Sequence, residues 1–127
     1  MQPLFLDIDR VVRTHLSLIE RYGGVEGLRD VGLLHSAIAM PQASFGGEFL
    51  DGDIFEMAAA YLYHIVQNHP FLDGNKRTGA ATAIIFLAMN GVELEADEEG
   101  LVELTLDVAE GKAGKQQIAG FFRKIAH

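Results

Sequence analysis

The chain has 127 residues, 49% hydrophobic and 22% charged, with 10 basic and 18 acidic side chains and a net charge of −8. That length suits one domain with an ordinary core, and the composition argues against a disordered chain. Cysteine is absent, which removes a disulfide framework and a thiolate zinc site, and the acidic balance argues against a broad duplex-DNA-binding face.

Along the chain the pattern is a series of helices ended by glycine. Asp7 caps the first. Ile8, Val11, Val12, Leu16 and Ile19 then recur at helical spacing until Gly23 and Gly24 end the run. A second helix starts near Asp30, turns Val31, Leu34 and Ile38 inward and stops before Pro41. Periodicity fails over residues 42–52, where Gly46, Gly47 and Gly52 interrupt Phe45, Phe49 and Leu50. This predicts a loop or small hairpin with exposed apolar residues. Asp53 caps a long helix to about Asn68, with Ile54, Met57, Ala58, Tyr61, Leu62 and Ile65 inward, and Pro70 and Gly74 break it.

The next helix begins near Asn75 and is almost wholly apolar over residues 80–89, which predicts a central position. Gly91 ends it, and residues 92–95 read as a short extended piece. Asp97 opens a helix carrying Leu101, Leu104 and Val108 and closed by Gly111. A last helix over about residues 115–126 uses Ile118, Phe121, Phe122 and Ile125. The expected class is all-α: about six helices around a central hydrophobic one, a single domain over residues 1–127, with a small flap loop or hairpin. The first residues lack a basic stretch followed by an apolar one, and no apolar run nears the roughly 20 residues of a membrane span. A cytoplasmic protein without membrane or nucleic-acid partners is expected.

Charge is unevenly spread. From Asp30 to Glu110 there are 14 acidic residues and two basic ones, Lys76 and Arg77, while the two ends hold the other 8 basic and 4 acidic residues. The isolated basic pair closes the string His69, Pro70, Phe71, Leu72, Asp73, Gly74, Asn75, Lys76, Arg77. Backbone N–H groups at a helix start are unpaired, with the positive end of the helix dipole behind them. Gly74 permits a tight turn and close approach of a ligand. Two cations in the first turn disfavour the helix unless an anion sits on that terminus. Asp73 supplies a hard oxygen suited to Mg²⁺ bridging phosphates, and a histidine can act as a proton acceptor. Base, metal oxygen, anion nest and cations together make a site for phosphoryl or nucleotidyl transfer.

This string resembles the Fic signature, His-x-Phe-x-(Asp/Glu)-Gly-Asn-x-Arg, at every fixed position. The Asn-Lys-Arg ending, the length and the Arg-Tyr-Gly-Gly at residues 21–24 resemble the Doc (death-on-curing) branch of the Fic/Doc family, over essentially the whole chain. The resemblance implies a minimal helical Fic core. It implies His69 as general base toward a target hydroxyl, Phe71 as structural anchor and Asp73 as the Mg²⁺ ligand. Gly74 and Asn75 would form the anion-binding turn, with the Asn75 side chain and backbone on a phosphate. Lys76 and Arg77 would bind the phosphates of ATP. Residues 42–52 stand in the place of the flap that grips a target segment in extended form, with Phe45, Gly46, Gly47 and Phe49 as its contact residues.

Adenylylating Fic proteins have glycine where Lys76 stands and a second arginine where Ala80 stands. In Doc the lysine fills that space, ATP lies reversed, and a threonine of elongation factor Tu is phosphorylated, which stops translation. The resemblance therefore implies an ATP-dependent protein kinase toxin. Gly74, the residue of the broader Fic pattern, keeps AMP transfer as the alternative, and a silent antitoxin-binding protein is the rival from another class. The family's inhibitory pattern, (Ser/Thr)-x-x-x-Glu-(Gly/Asn), fails at Glu26, Glu99 and Glu110, which follow Tyr22, Glu95 and Leu106 at the required spacing. Control is thus expected from a separate antitoxin whose segment folds on binding. His15, His35 and His64 read as structural.

Overall fold

Four aspartates start four of the helices. In the computed structural model, which describes residues 2–127, Asp7 precedes α1 (Ile8–Tyr22), Asp30 precedes α2 (Val31–Ala39), Asp53 precedes α3 (Ile54–Asn68) and Asp97 precedes α5 (Glu98–Ala109). Each carboxylate accepts from the backbone N–H three residues on, at 2.8 Å for Arg10, 3.0 Å for Leu33, 2.8 Å for Glu56 and 3.0 Å for Gly100. One otherwise orphaned donor is satisfied at each start, with negative charge at the positive end of the dipole. Between α3 and α5 lies α4 (Asn75–Met89), and α6 (Lys115–Ile125) closes the order. Gly23 ends α1 at φ 86° and donates to the Ile19 carbonyl at 2.8 Å.

After α2, a short 3₁₀ turn around Pro41 leads into a hairpin of β1 (Ser44–Phe45) and β2 (Glu48–Phe49). Its two-residue loop, Gly46 and Gly47, has φ of 63° and 85°, as a type I′ turn requires. Phe45 stands 82% exposed. Phe49 instead folds back on Phe5, with ring centroids 5.5 Å apart, and ties the hairpin to the core edge.

The centre of the molecule is α3, which is apolar along more of its length than α4. It packs against α2, α4, α5 and α6, and its residues from Met57 to Leu62 are buried in succession. The expected central position of α4 is corrected accordingly: it packs against α3, α1 and α5, yet leaves Ile84 37% exposed and Ala88 open to solvent. The apolar run of α4 is confined to residues 80–89 behind a polar first turn, whereas α3 is apolar over most of its length and meets neighbours on more sides. The α3–α4 contact is close enough to need a glycine. A Cβ at Gly79 would lie 3.2 Å from the Leu62 carbonyl oxygen and 3.0 Å from a Val66 methyl.

Both chain ends are tied to this frame. The Leu6 N–H donates to the Tyr61 hydroxyl at 3.0 Å inside the core, where burial pushes the phenol up to about 12. The extended piece after α4 pairs with the C-terminus, the Glu95 N–H donating to Ile125 at 2.7 Å and the His127 N–H to Glu93 at 2.9 Å. Among the described residues no helix is long and apolar enough to cross a membrane.

Candidate active site

The site is the junction between α3 and α4. His69 ends α3 in the left-handed region, φ 52° and ψ 53°, and its N–H donates to the Ile65 carbonyl at 3.1 Å. It is the one non-glycine with positive φ among the described residues, and it precedes a proline, which further narrows its allowed backbone. Next, Phe71 turns into the core, 1% exposed, and lies flat against the buried His15 ring of α1, centroids 3.8 Å apart and planes at 5°.

Asn75 is 4% exposed, and its side chain is spent on the turn itself. Its Oδ1 accepts from the Phe71 N–H at 2.9 Å and its Nδ2 donates to the Phe71 carbonyl at 2.9 Å. These two bonds tie the side chain to the Phe71 backbone. What Asn75 offers the cleft is backbone N–H at the start of α4. No side chain caps that start: Gly74 occupies the N-cap at φ 75°. The first-turn donors are left for a ligand, with the exposed Lys76 and Arg77 beside them. The Arg77 guanidinium lies 4.4 Å over the Tyr22 ring, which holds it at the mouth.

Asp73 is held at every oxygen. Its Oδ2 accepts from the Val25 N–H at 3.1 Å, its Oδ1 from the Gly74 N–H at 2.8 Å, and its carbonyl from His15 Nε2 at 2.8 Å. Since a carbonyl can only accept, this bond assigns the proton of the His15 ring to Nε2. The hydrogen bond from Val25, then that from Gly74, hold the Asp73 carboxyl below the usual carboxylate range, with smaller help from His15 and Arg77. The group is therefore ionised through the physiological range and has lone pairs left for a cation. Among the described residues no three His, Cys, Asp or Glu side chains gather as a metal cage. One exposed carboxylate beside two cations fits a hard divalent ion completed by water and phosphate oxygens.

A cleft of about 840 Å³ opens over this junction. One wall is polar, formed by His69, Asp73, Gly74, Asn75, Lys76 and Arg77, so six predicted site residues meet here. The facing wall is α5, with Leu101, Val102, Thr105 and Leu106, and Ala80 of α4 contributes a methyl. None of the predicted flap residues lines the cleft. Phe45, Gly46 and Gly47 are exposed on the hairpin, and Phe49 is engaged with Phe5.

Sequence reasoning missed what the connection between α1 and α2 does. The N–H groups of Arg29 and Asp30 donate to the Pro70 carbonyl at 2.7 and 3.0 Å, the Leu72 N–H donates to Gly27 at 3.0 Å, and Leu28 bridges Phe71. A Cβ at Gly24 would lie 2.7 Å from Asp73 Oδ2. The glycines at 23, 24 and 27 were the available signal, since a turn needs fewer of them than a strap lying flat on another backbone.

A model of the Fic/DOC family matches residues 5–87. The chain is 34% identical over 117 residues to the protein kinase doc of Escherichia phage P1, across 92% of this chain and 91% of that protein. It is 46% identical over 76 residues to the toxin Doc of Mycolicibacterium smegmatis, across 60% of this chain and 58% of that protein.

Proposed function

The chain belongs to the Fic/DOC family, and on that premise we propose that it is the toxin of a toxin–antitoxin module, an ATP-dependent protein kinase acting on a threonine of elongation factor Tu. The observation that carries the reading is the uncapped start of α4. Its free N–H groups, Lys76 and Arg77 face the same cleft as His69 and Asp73. In the step proposed, the threonine oxygen forms a bond to the γ-phosphorus while the bond to the β-bridging oxygen breaks and ADP leaves. The hydroxyl proton passes to the His69 ring. Charge on the transferring group is met by the α4 N–H groups and the two cations, fixed before the reaction and so needing little reorganisation. Mg²⁺, when bound, would be held by Asp73 and would neutralise phosphate charge.

Two features favour phosphate over AMP transfer. Lys76 fills the position where adenylylating relatives have glycine, and Ala80 presents a methyl where they have a second arginine. The apolar face of Val102 and Leu106 on α5 suits the far end of the nucleotide. An antitoxin segment that orders on binding would supply the control that no inhibitory sequence in this chain provides, and the reaction would take place in the cytoplasm. The test is the intact mass of purified elongation factor Tu after incubation with the protein, ATP and Mg²⁺. Gain of one phosphate is expected. Gain of one AMP would replace the kinase by the adenylyltransferase, and no gain would favour a silent antitoxin-binding protein.

A further inference from the structure

His69 sits in the left-handed region, φ 52° and ψ 53°, a backbone conformation strained for a non-glycine residue. Such a turn persists only where its surroundings over-determine it. In those surroundings one residue makes direct bonds to the carbonyls of the turn. Arg29, in the connection between α1 and α2, donates from Nε to the His69 carbonyl at 2.6 Å and from Nη2 to the Asn68 carbonyl at 2.9 Å. Its own N–H donates to the Pro70 carbonyl at 2.7 Å. Three successive carbonyls at and just beyond the C-terminal end of α3 thus accept from a single arginine, the last of them shared with the Asp30 N–H. The planar fork matches two carbonyls at once, which a lysine ammonium cannot do in fixed geometry, and positive charge is favoured at this end of the helix dipole.

We propose that Arg29 is a positioning residue for His69: its guanidinium fork holds the left-handed turn that aims the ring into the cleft. Arg29 does not line the cleft and acts through the backbone of the base. The catalytic consequence rests on the kinase reading, but the positional one does not.

The experiment therefore reads both. Amide hydrogen exchange is measured on the whole chain, free and unmodified, as wild type, Arg29→Lys and Arg29→Ala. Loss of the fork is expected to speed exchange of the His69 N–H about tenfold or more, while the α6 amides keep their protection. Phosphoryl transfer should fall in kcat with little change in KM for ATP, and millimolar guanidinium should restore Arg29→Ala but not a His69→Ala control. Unchanged exchange at His69 in both variants would overturn the proposal. So would a loss of protection throughout α6, which would mark Arg29 as a general stabiliser. If the wild type transfers nothing, the kinase reading fails and the exchange result still decides the role of Arg29.

Discussion

The start of α3 and the start of α4 are built on opposite lines. Asp53 caps α3, accepting from the Glu56 N–H and also pairing with Arg123 at 2.8 Å, so the terminus is closed and neutralised within the protein. Burial raises the Asp53 carboxyl, but the Arg123 hydrogen bond and the backbone N–H bonds outweigh it and hold it low. At α4 a glycine stands where the cap belongs, and two cations follow where the dipole disfavours them. The first end is optimised for folding. The second leaves donors unpaired and positive charge uncompensated, a disposition that an anion would complement. Two helix starts a few turns apart thus differ in what completes them: the protein itself at α3 and, on the reading proposed above, an anion at α4.

The sharpest way to break this contrast is at the reacting groups. His69→Ala and Asp73→Ala should each lower phosphoryl transfer by about 10²-fold or more, with a circular dichroism melt close to wild type. An unaltered rate in either would remove the site from α4. Next, Lys76→Ala and Arg77→Ala should weaken binding of a non-hydrolysable ATP analogue by about 10-fold each in calorimetry. Stability should stay level or rise by a few tenths of a kcal/mol, because a cation leaves a helix N-terminus.

Changes in the frame should do the reverse. Gly79→Ala is expected to cost about 1–3 kcal/mol in urea unfolding, since the added methyl meets the Leu62 carbonyl across the α3–α4 contact. His64, on α3, has a buried Nε2 without a partner, and burial, aided by Lys115, lowers the ring to about 4. Its folded form therefore resists a proton that the unfolded chain accepts near 6.5. Stability should fall by roughly 2 kcal/mol as pH drops from about 6.5 to about 4, after discounting for partial solvation, and His64→Leu should flatten that segment of the curve. Among the changes in the frame the smallest effect is Asp53→Ala, expected to cost about 1 kcal/mol through the lost cap while leaving nucleotide affinity unchanged. Lost affinity there would show that the two helix starts are not independent.

The sequence disclosed what is local. All four aspartate caps, the helix limits and the glycine hairpin follow from spacing over a few residues, and six site residues lie within one short string. The rest depends on contacts between distant segments. The flat stacking of His15 on Phe71, the Arg29 fork and the grip of Val25 on Asp73 join residues about 40 to 58 positions apart, and no periodicity encodes them. The Asn75 side-chain bonds to Phe71 were not legible for a related reason. An amide beside an anion site can serve the ligand or the turn, and only the positions of the Phe71 N–H and carbonyl decide between them. Likewise, apolarity singled out α4 as central, yet it is α3 that touches α2, α4, α5 and α6.

The close approach at Gly79 has a mechanical corollary. Base and anion receptor belong to consecutive helices locked backbone to backbone, and the turn between them is strapped from outside. On the kinase reading proposed above, the path that a proton and a phosphate would share is then a fixed dimension of the bundle. Any gating of the reaction therefore falls to what enters the cleft, and the rate should be insensitive to solvent viscosity until substrate arrival itself becomes limiting.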